Sequence, residues 1–290
     1  MNLINSLSMI EIRRSDSVGG EAVFATANID RGTRLAAEIP LLVVPLVPEE
    51  EELSEVCKAI DQLPEGKQAE IAELSCNPSV AERLKKDNHI RHQVWGFYKA
   101  KKWKDKEGNS LQGKKLQKIV KRTIDLCVIY FTNNVQLGPE GKYGSGIFPL
   151  FSRMEHSCVP NAHNSWNPTL ERLTIHAIHD IKADEQIFVD FIGNVNRTRQ
   201  QRAASLITTW GIICNCQACT EPKIDQLRHR MLVLDQALAA FVCGASKQPN
   251  FSAVHGIPRV ATSEEALEAA EELVHLLETQ NLQGMELCRV

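Results

Sequence analysis

The sequence of 290 residues predicts an α+β protein: small β-sheets split by a mainly helical insert, then a helical pair at the C-terminal end. Three observations carry that class. Strand-like alternation with turn residues occupies 9–47 and returns from Tyr143 to Phe191. The residues between these regions are dense in charge, with helical apolar spacing through Leu74. A compact cysteine cluster, Cys214-Asn-Cys216-Gln-Ala-Cys219, then separates the second strand region from an end that reads as helix throughout.

Ile10-Glu-Ile12 and Ala22-Val-Phe-Ala25 read as short strands on either side of the turn residues Asp16 to Gly20. Asp30-Arg-Gly32 makes a second turn before an apolar run, Leu35 to Val47, punctuated by Pro40 and Pro45. Five glutamates then fall within 49–55 at the start of the helical spacing. Residues 99–122 reverse the charge, with ten Lys and Arg against Asp105 and Glu107. This strip reads either as a solvated helix face or loop, or as a docking surface for an acidic partner. Leu173 to Ile178 alternates as a half-buried strand should, with Asn167-Pro168 as the hairpin turn before it, and Ile187 to Ile192 is a further strand candidate. Arg197 to Trp210 and Leu227 to Val242 read as helices. A last helix starts at Thr262, whose capping partner is Glu265, and it predicts an apolar face of Leu267, Ala270, Val274 and Leu277. This helical pair is expected to pack on the main body.

Composition limits the class of function. With 43% hydrophobic and 24% charged residues the chain folds as a globular protein, not as a disordered or fibrous one. A net charge of −3 gives no general attraction to nucleic acid, so no direct nucleic-acid binding is expected. No apolar run approaches the ~20 residues of a membrane span, and no secretory signal pattern opens the chain. Nine cysteines, an odd number, fit free thiols or a metal site in a reducing compartment. The expectation is an intracellular protein of cytoplasm or nucleus. Cys57, Cys76, Cys127, Cys243 and Cys288 stand alone and read as small core residues.

Cys214, Cys216 and Cys219 are different. Three thiolates within six residues can close round one ion, and a tetrahedral zinc site needs a fourth. The best candidate is Cys158, in the string Glu155-His-Ser-Cys158-Val-Pro-Asn161. Two other readings of the trio stay open: clustered core cysteines, and a redox pair at Cys216 and Cys219. The polar Asn215 and Gln217 between them speak against core burial.

At this point the strings resemble a family. Gly20-Glu-Ala-Val-Phe-Ala25, Gly144-Ser-Gly-Ile-Phe-Pro149, Glu155 to Asn161, Asp184-Glu-Gln-Ile-Phe-Val-Asp-Phe191 and the cysteine cluster occur in the order seen in SET domains, the fold of AdoMet-dependent protein-lysine methyltransferases. The chain is similar in particular to the SMYD-type branch, without its MYND finger: the insert offers only Cys57, Cys76, His89 and His92 as soft ligands. The resemblance implies a division into 9–47 (first SET part), 48–119 (helical insert), 120–211 (second SET part), 212–221 (post-SET zinc motif) and 222–290 (C-terminal helical segment). It implies that one motif strand threads a loop made by the other, a pseudoknot that departs from ordinary unthreaded topology. It implies structural Zn2+ on Cys158, Cys214, Cys216 and Cys219, and S-adenosyl-L-methionine held around Gly20, Glu21, Ala22, Asn133, Glu155, His156 and Phe191. Asn161 is a retained motif residue. The implied chemistry passes a sulfonium methyl in line to a neutral lysine amine, freed of its proton by a channel that excludes water.

Four positions depart from the family pattern, all at the chemistry. Phe191 stands where the family has its catalytic tyrosine, and loss of one preorganised polar group typically costs ~10²–10³ in rate. Glu155 replaces an asparagine beside the amino-acid end of the cofactor. Facing the cofactor's carboxylate at about 4 Å, it costs on the order of 4 kcal/mol at an effective dielectric of 20; facing the ammonium, it helps. Ala22 puts a methyl group where glycine allows close approach, and Ile212 replaces an aromatic wall of which Trp210 remains. Phe191, Trp210 and Glu155 are thus the candidate catalytic positions. Three functions are compatible with this pattern. The first is a diverged lysine methyltransferase acting on a protein substrate. The second is a non-catalytic SET module that binds a protein partner. The third is a reshaped pocket that binds or cyclises a small molecule.

Overall fold

The computed structural model describes residues 9–15, 20–193, 197–243 and 260–282. Strands β1 (Ile10–Ser15) and β2 (Gly20–Ala25) form an antiparallel pair in which Ile10 faces Ala25 and Ser15 faces Gly20. The turn expected at Asp16 to Gly20 falls on 16–19, which lie outside the described residues. Asp30-Arg-Gly32 turns as expected: the Thr33 N–H donates to the Asp30 carbonyl, and Gly32 takes a φ of 86°. The apolar run after it divides at Pro40 into β3 (Arg34–Glu38) and β4 (Leu42–Val44), because proline removes a ladder donor.

Five helices follow: α1 (Glu49–Gln62), α2 (Glu65–Ala72), α3 (Pro78–Lys86), α4 (Asn88–Ala100) and α5 (Gly113–Asn133). The glutamates Glu49 to Glu52 occupy the first turn of α1, where the helix dipole favours anions. Val56, Ile60, Val94, Tyr98, Leu126 and Tyr130 bring α1, α4 and α5 together over β4, and the buried Tyr98 hydroxyl pairs with Thr123 at 2.9 Å. The basic strip spans the end of α4, a loop and the first half of α5. Part of its charge is answered locally, by Lys101 with Asp61 at 2.6 Å and Lys115 with Asp105 at 3.1 Å. That pairing fits the solvated-face reading.

From α5 the chain enters β5 (Val135–Gln136) and β6 (Ser145–Ile147), which build a three-stranded sheet in the order β4-β6-β5. Gly144 cannot be replaced by any other residue without rebuilding this corner. Its φ is +88°, and an added Cβ would lie 2.0 Å from the Val44 carbonyl. After a 3₁₀ turn at Phe151–Arg153 come β7 (Glu155–His156), β8 (Ala162–Asn167), β9 (Arg172–Ala177) and β10 (Phe188–Val189). The β8–β9 hairpin turns as the Asn167-Pro168 reading expects, with the Asn167 side chain accepting from the Thr169 and Leu170 N–H groups. The strand expected over Ile187 to Ile192 is limited to Phe188–Val189, since the Phe191 N–H is taken by a side chain instead of a ladder partner.

The last elements are α6 (Arg199–Trp210), the single turn α7 (Gln217–Thr220), α8 (Pro222–Cys243) and α9 (Ser263–Thr279). Thr262 and Glu265 form the capping box the spacing predicts. The apolar face of α9 is offset from the expected one: Ala269, Leu273 and Leu277 pack on Met231 and Leu234 of α8, while Leu267 is 60% exposed. Arg230 and Glu272 clamp the two helices at the rim, and the His179 ring meets the Asn281 carbonyl at 2.7 Å, tying the pair to the body. Cys288 lies outside the described residues.

Candidate functional site

Two neighbouring clusters bring most of the expected residues together. The first is built from sulfur. A capping box at Thr198 and Gln201 starts α6, and Gly211, at φ 69°, ends it; the chain then runs into Cys214. The turn α7 closes on Cys216, whose carbonyl accepts from the Cys219 N–H at 2.8 Å, so both sulfurs face the same side. Cys158 arrives from just beyond β7, and its sulfur lies 3.6 Å from that of Cys219. All four Sγ atoms lie within 4.8 Å of one another. Four thiolates about 2.3 Å from a tetrahedral ion sit about 3.8 Å apart, so the donor set fits such an ion. Mutual hydrogen bonding among the thiols pushes Cys158 up, chiefly through Cys214, and Cys216 down, chiefly through Cys158. Four sulfurs this close cannot all be anionic without a cation among them. Cys214 and Cys216 are only partly buried, which speaks against the reading as clustered core cysteines.

The second cluster lies where the two motif strings run side by side. β7 and β10 pair in parallel, with Glu155 opposite Phe188 and His156 opposite Val189. Asn161 joins the strings from below: its Oδ1 accepts from the Phe188 N–H at 2.8 Å and its Nδ2 donates to the Gln186 carbonyl at 2.8 Å. Residues 185–187 also bond back to β2 through Ala25 and Val23, which carries the Gly20–Ala22 stretch into the same neighbourhood. Phe191 sits in a group of rings, with centroids 5.5 Å from Trp210, 5.7 Å from His156 and 6.2 Å from Phe151.

His156 links the two clusters. Its Nδ1 accepts from the Phe191 N–H at 3.1 Å, which leaves the proton on Nε2, 3.3 Å from the Cys158 sulfur. Burial holds the ring down to about 4, so it stays neutral. The sulfur site thus orients the backbone at position 191 through a single ring. Glu155 is half-buried, and burial pushes its carboxyl above the ordinary range, with the Gln186 side chain pulling the other way. Glu21 pairs with Arg153 at 2.7 Å, two residues before Glu155.

The space beside Gly20 is open, since an added Cβ would meet nothing within 4 Å. Ala22 is fully buried, so protein already covers the methyl group expected to crowd a cofactor. The Asn133 amide donates at 3.0 Å each to the Ser75 carbonyl of the insert and to the Ile129 carbonyl of its own helix. Ile212 follows Gly211, whose carbonyl accepts from Asn77 of the insert at 3.2 Å.

Three contributors escape sequence reasoning. Arg202 and Arg228 are fully buried, the first reaching the Cys219 sulfur and the second the Cys158 carbonyl. Arg202 lies one helical turn before Leu206, the other buried residue of α6, and an arginine on an apolar stripe next to a cysteine cluster is the available signal. The third is Glu38, whose carboxylate accepts from the N–H groups of Leu150 and Phe151 at 2.6 and 3.0 Å, holding the turn that delivers β7. Burial outweighs those bonds and Arg153, and raises Glu38 from 4.5 to about 7. Between these two values the folded chain keeps a proton that the unfolded chain has released, so stability falls as pH rises through that window and the cost is complete above it. Glu38→Gln is expected to flatten this part of the melting-temperature profile between pH 4.5 and 7, as scanned by calorimetry. An unchanged slope would show that Glu38 is not its source.

The chain is similar to known proteins over the segment that carries both motif strings. The SET domain family model matches residues 20–192, more than half of the chain. Histone-lysine N-methyltransferase set5 of Schizosaccharomyces pombe is 35% identical over 103 residues, covering 34% of this chain and 32% of that protein. Protein-lysine N-trimethyltransferase SMYD5 of Homo sapiens is 36% identical over 78 residues, 26% of this chain and 19% of that protein. The chain thus spans about a third or less of the curated relatives it matches. Among solved structures, the SET domain of LSMT bound to lysine and AdoHcy aligns with 97% of this chain and 70% of its own, at 10% identity and a TM-score of 0.42.

Proposed function

Because the chain belongs to the SET-domain family of histone and protein-lysine methyltransferases, we propose that it transfers a methyl group from S-adenosyl-L-methionine to a lysine of a protein substrate. The observation that carries this is the grouping of the His156, Phe191 and Trp210 rings beside the parallel β7–β10 pair that also bears Glu155. When bound, S-adenosyl-L-methionine supplies an electrophilic sulfonium methyl. The rings of Phe191 and Trp210 would strip water from the entering lysine, lowering its pKa and freeing its lone pair. The neutral His156 would fix the backbone at 191, and with it the angle of that ring. Gly20 would admit the cofactor close to the backbone, and Glu155 would meet its amino group. Zn2+ on Cys158, Cys214, Cys216 and Cys219 would act as a structural, post-SET-like clamp, consistent with a closed four-sulfur donor set that leaves no position for a reactant. The protein would work inside the cell, on protein substrates.

Phe191 favours a second reading. With no hydroxyl at the reacting centre, the same surface would serve a SET module that binds protein without transfer. Calorimetric titration of S-adenosyl-L-methionine into metal-loaded protein separates the two: saturable one-site binding is expected for the methyltransferase, and no heat of binding rejects it.

A further inference from the structure

The metal reading of the four cysteines leaves a charge to be balanced. A divalent ion with four thiolates carries a net charge of −2, and Cys158 and Cys219 at least are buried. Burying such a dianion is costly unless opposite charge lies beside it. Two guanidinium groups, both fully buried, stand there, one from α6 and one from α8. Arg202 donates to the carbonyl of Ala218 at 2.8 Å and approaches the Cys219 sulfur at 3.7 Å. Arg228 donates to the carbonyl of Cys158 itself at 3.0 Å. Arg202 also bonds to the Arg197 carbonyl, so these bonds run to carbonyls and sulfur rather than to a carboxylate.

We propose that Arg202 and Arg228 are the built-in counter-charges of a metal–tetrathiolate centre, positioning residues whose two positive charges set its affinity for a divalent ion. They act through the sulfurs and touch neither cofactor nor substrate. They also explain how α6 and α8 are attached: each helix meets the centre through one buried cation, so ion binding draws together the helix that ends at Trp210 and the helix that carries the C-terminal pair.

The inference rests on the metal reading, so the first arm tests that reading alone. Unmodified protein is titrated with Co2+, which gives intense thiolate-to-metal absorption when four sulfurs bind; absence of that band removes the metal reading and this inference with it. In the second arm, Arg202→Met and Arg228→Met are compared with the parent for Zn2+ affinity, by competition with a chromophoric chelator. Each is expected to bind about 10- to 100-fold more weakly. Arg202→Gln keeps a donor for the Ala218 carbonyl while losing the charge, and is expected to weaken binding equally; Arg202→Lys is expected to recover most of the affinity. Melting with and without Zn2+ excludes a purely structural role. Loss of counter-charge narrows the gap between loaded and metal-free protein, whereas loss of packing lowers both together. Parent-like Zn2+ affinity in the Met and Gln variants, or an unchanged gap, overturns the proposal even where the Co2+ band is present.

Discussion

Cys158→Ser is expected to release the metal and lower the melting temperature by about 10 °C or more. A structural zinc contributes apparent free energy of ~10–16 kcal/mol in small peptides, comparable to the ~5–15 kcal/mol that holds a whole domain together. Cys158 is the one sulfur that comes from the β-body; the other three follow α6. Its loss therefore does more than weaken a site: it unties the two halves that the ion joins. The bond from His156 to that sulfur is lost as well, so the backbone at Phe191 loses its fixed partner's orientation. Scanning calorimetry with and without a chelator checks this. Chelator lowers the melting temperature of the parent and leaves that of Cys158→Ser unchanged. A variant that melts like the parent and still responds to chelator would show that Cys158 is not a ligand.

Phe191→Tyr is expected to raise methyl transfer by ~10²–10³, the typical effect of one preorganised polar group at a reacting centre. The ring position needs no change. Phe191 is partly exposed among Phe151, His156 and Trp210, and its N–H is held by His156, so a tyrosine at 191 inherits the same backbone and the same neighbours. Only the hydroxyl is new, and a buried or half-buried phenol seeks a partner, here the lysine amine. The gain should appear in kcat for the labelled methyl group, with affinity for S-adenosyl-L-methionine little altered. No gain in Phe191→Tyr would mean that the surface has left methyl transfer behind, as the protein-binding reading holds.

The parts legible in the sequence are those where chemistry fixes spacing. Cys214, Cys216 and Cys219 point to an ion site because their spacing lets three sulfurs converge, and the structure brings Cys158 to them from 56 residues away. The Thr262–Glu265 box and the Asn167 turn are legible for a similar reason: each is a local hydrogen bond between neighbours in the chain. What stays hidden depends on distant partners. The bond from the Asn133 amide to Ser75, 58 residues earlier, is one such contact. Ala22 looks like an obstruction until the sheet covers it. Arg202 and Arg228 belong to a residue type that composition places on surfaces, and inside they bond to the carbonyls of Ala218 and Cys158, partners that only the fold brings to them. On α9 the helix is correctly expected but its buried stripe is rotated, because α8 decides which face is covered. The strong departures, Glu155 and Phe191, are visible in sequence, but their orientation is not; the parallel pairing of β7 with β10 supplies it.

The most direct test is transfer of isotope-labelled methyl from S-adenosyl-L-methionine to protein lysine by the zinc-loaded chain in cell extract, with Cys158→Ser and Phe191→Tyr run alongside. The account predicts label on lysine with the parent, more with Phe191→Tyr and none with Cys158→Ser. Lysine left unlabelled by both the parent and Phe191→Tyr would contradict it.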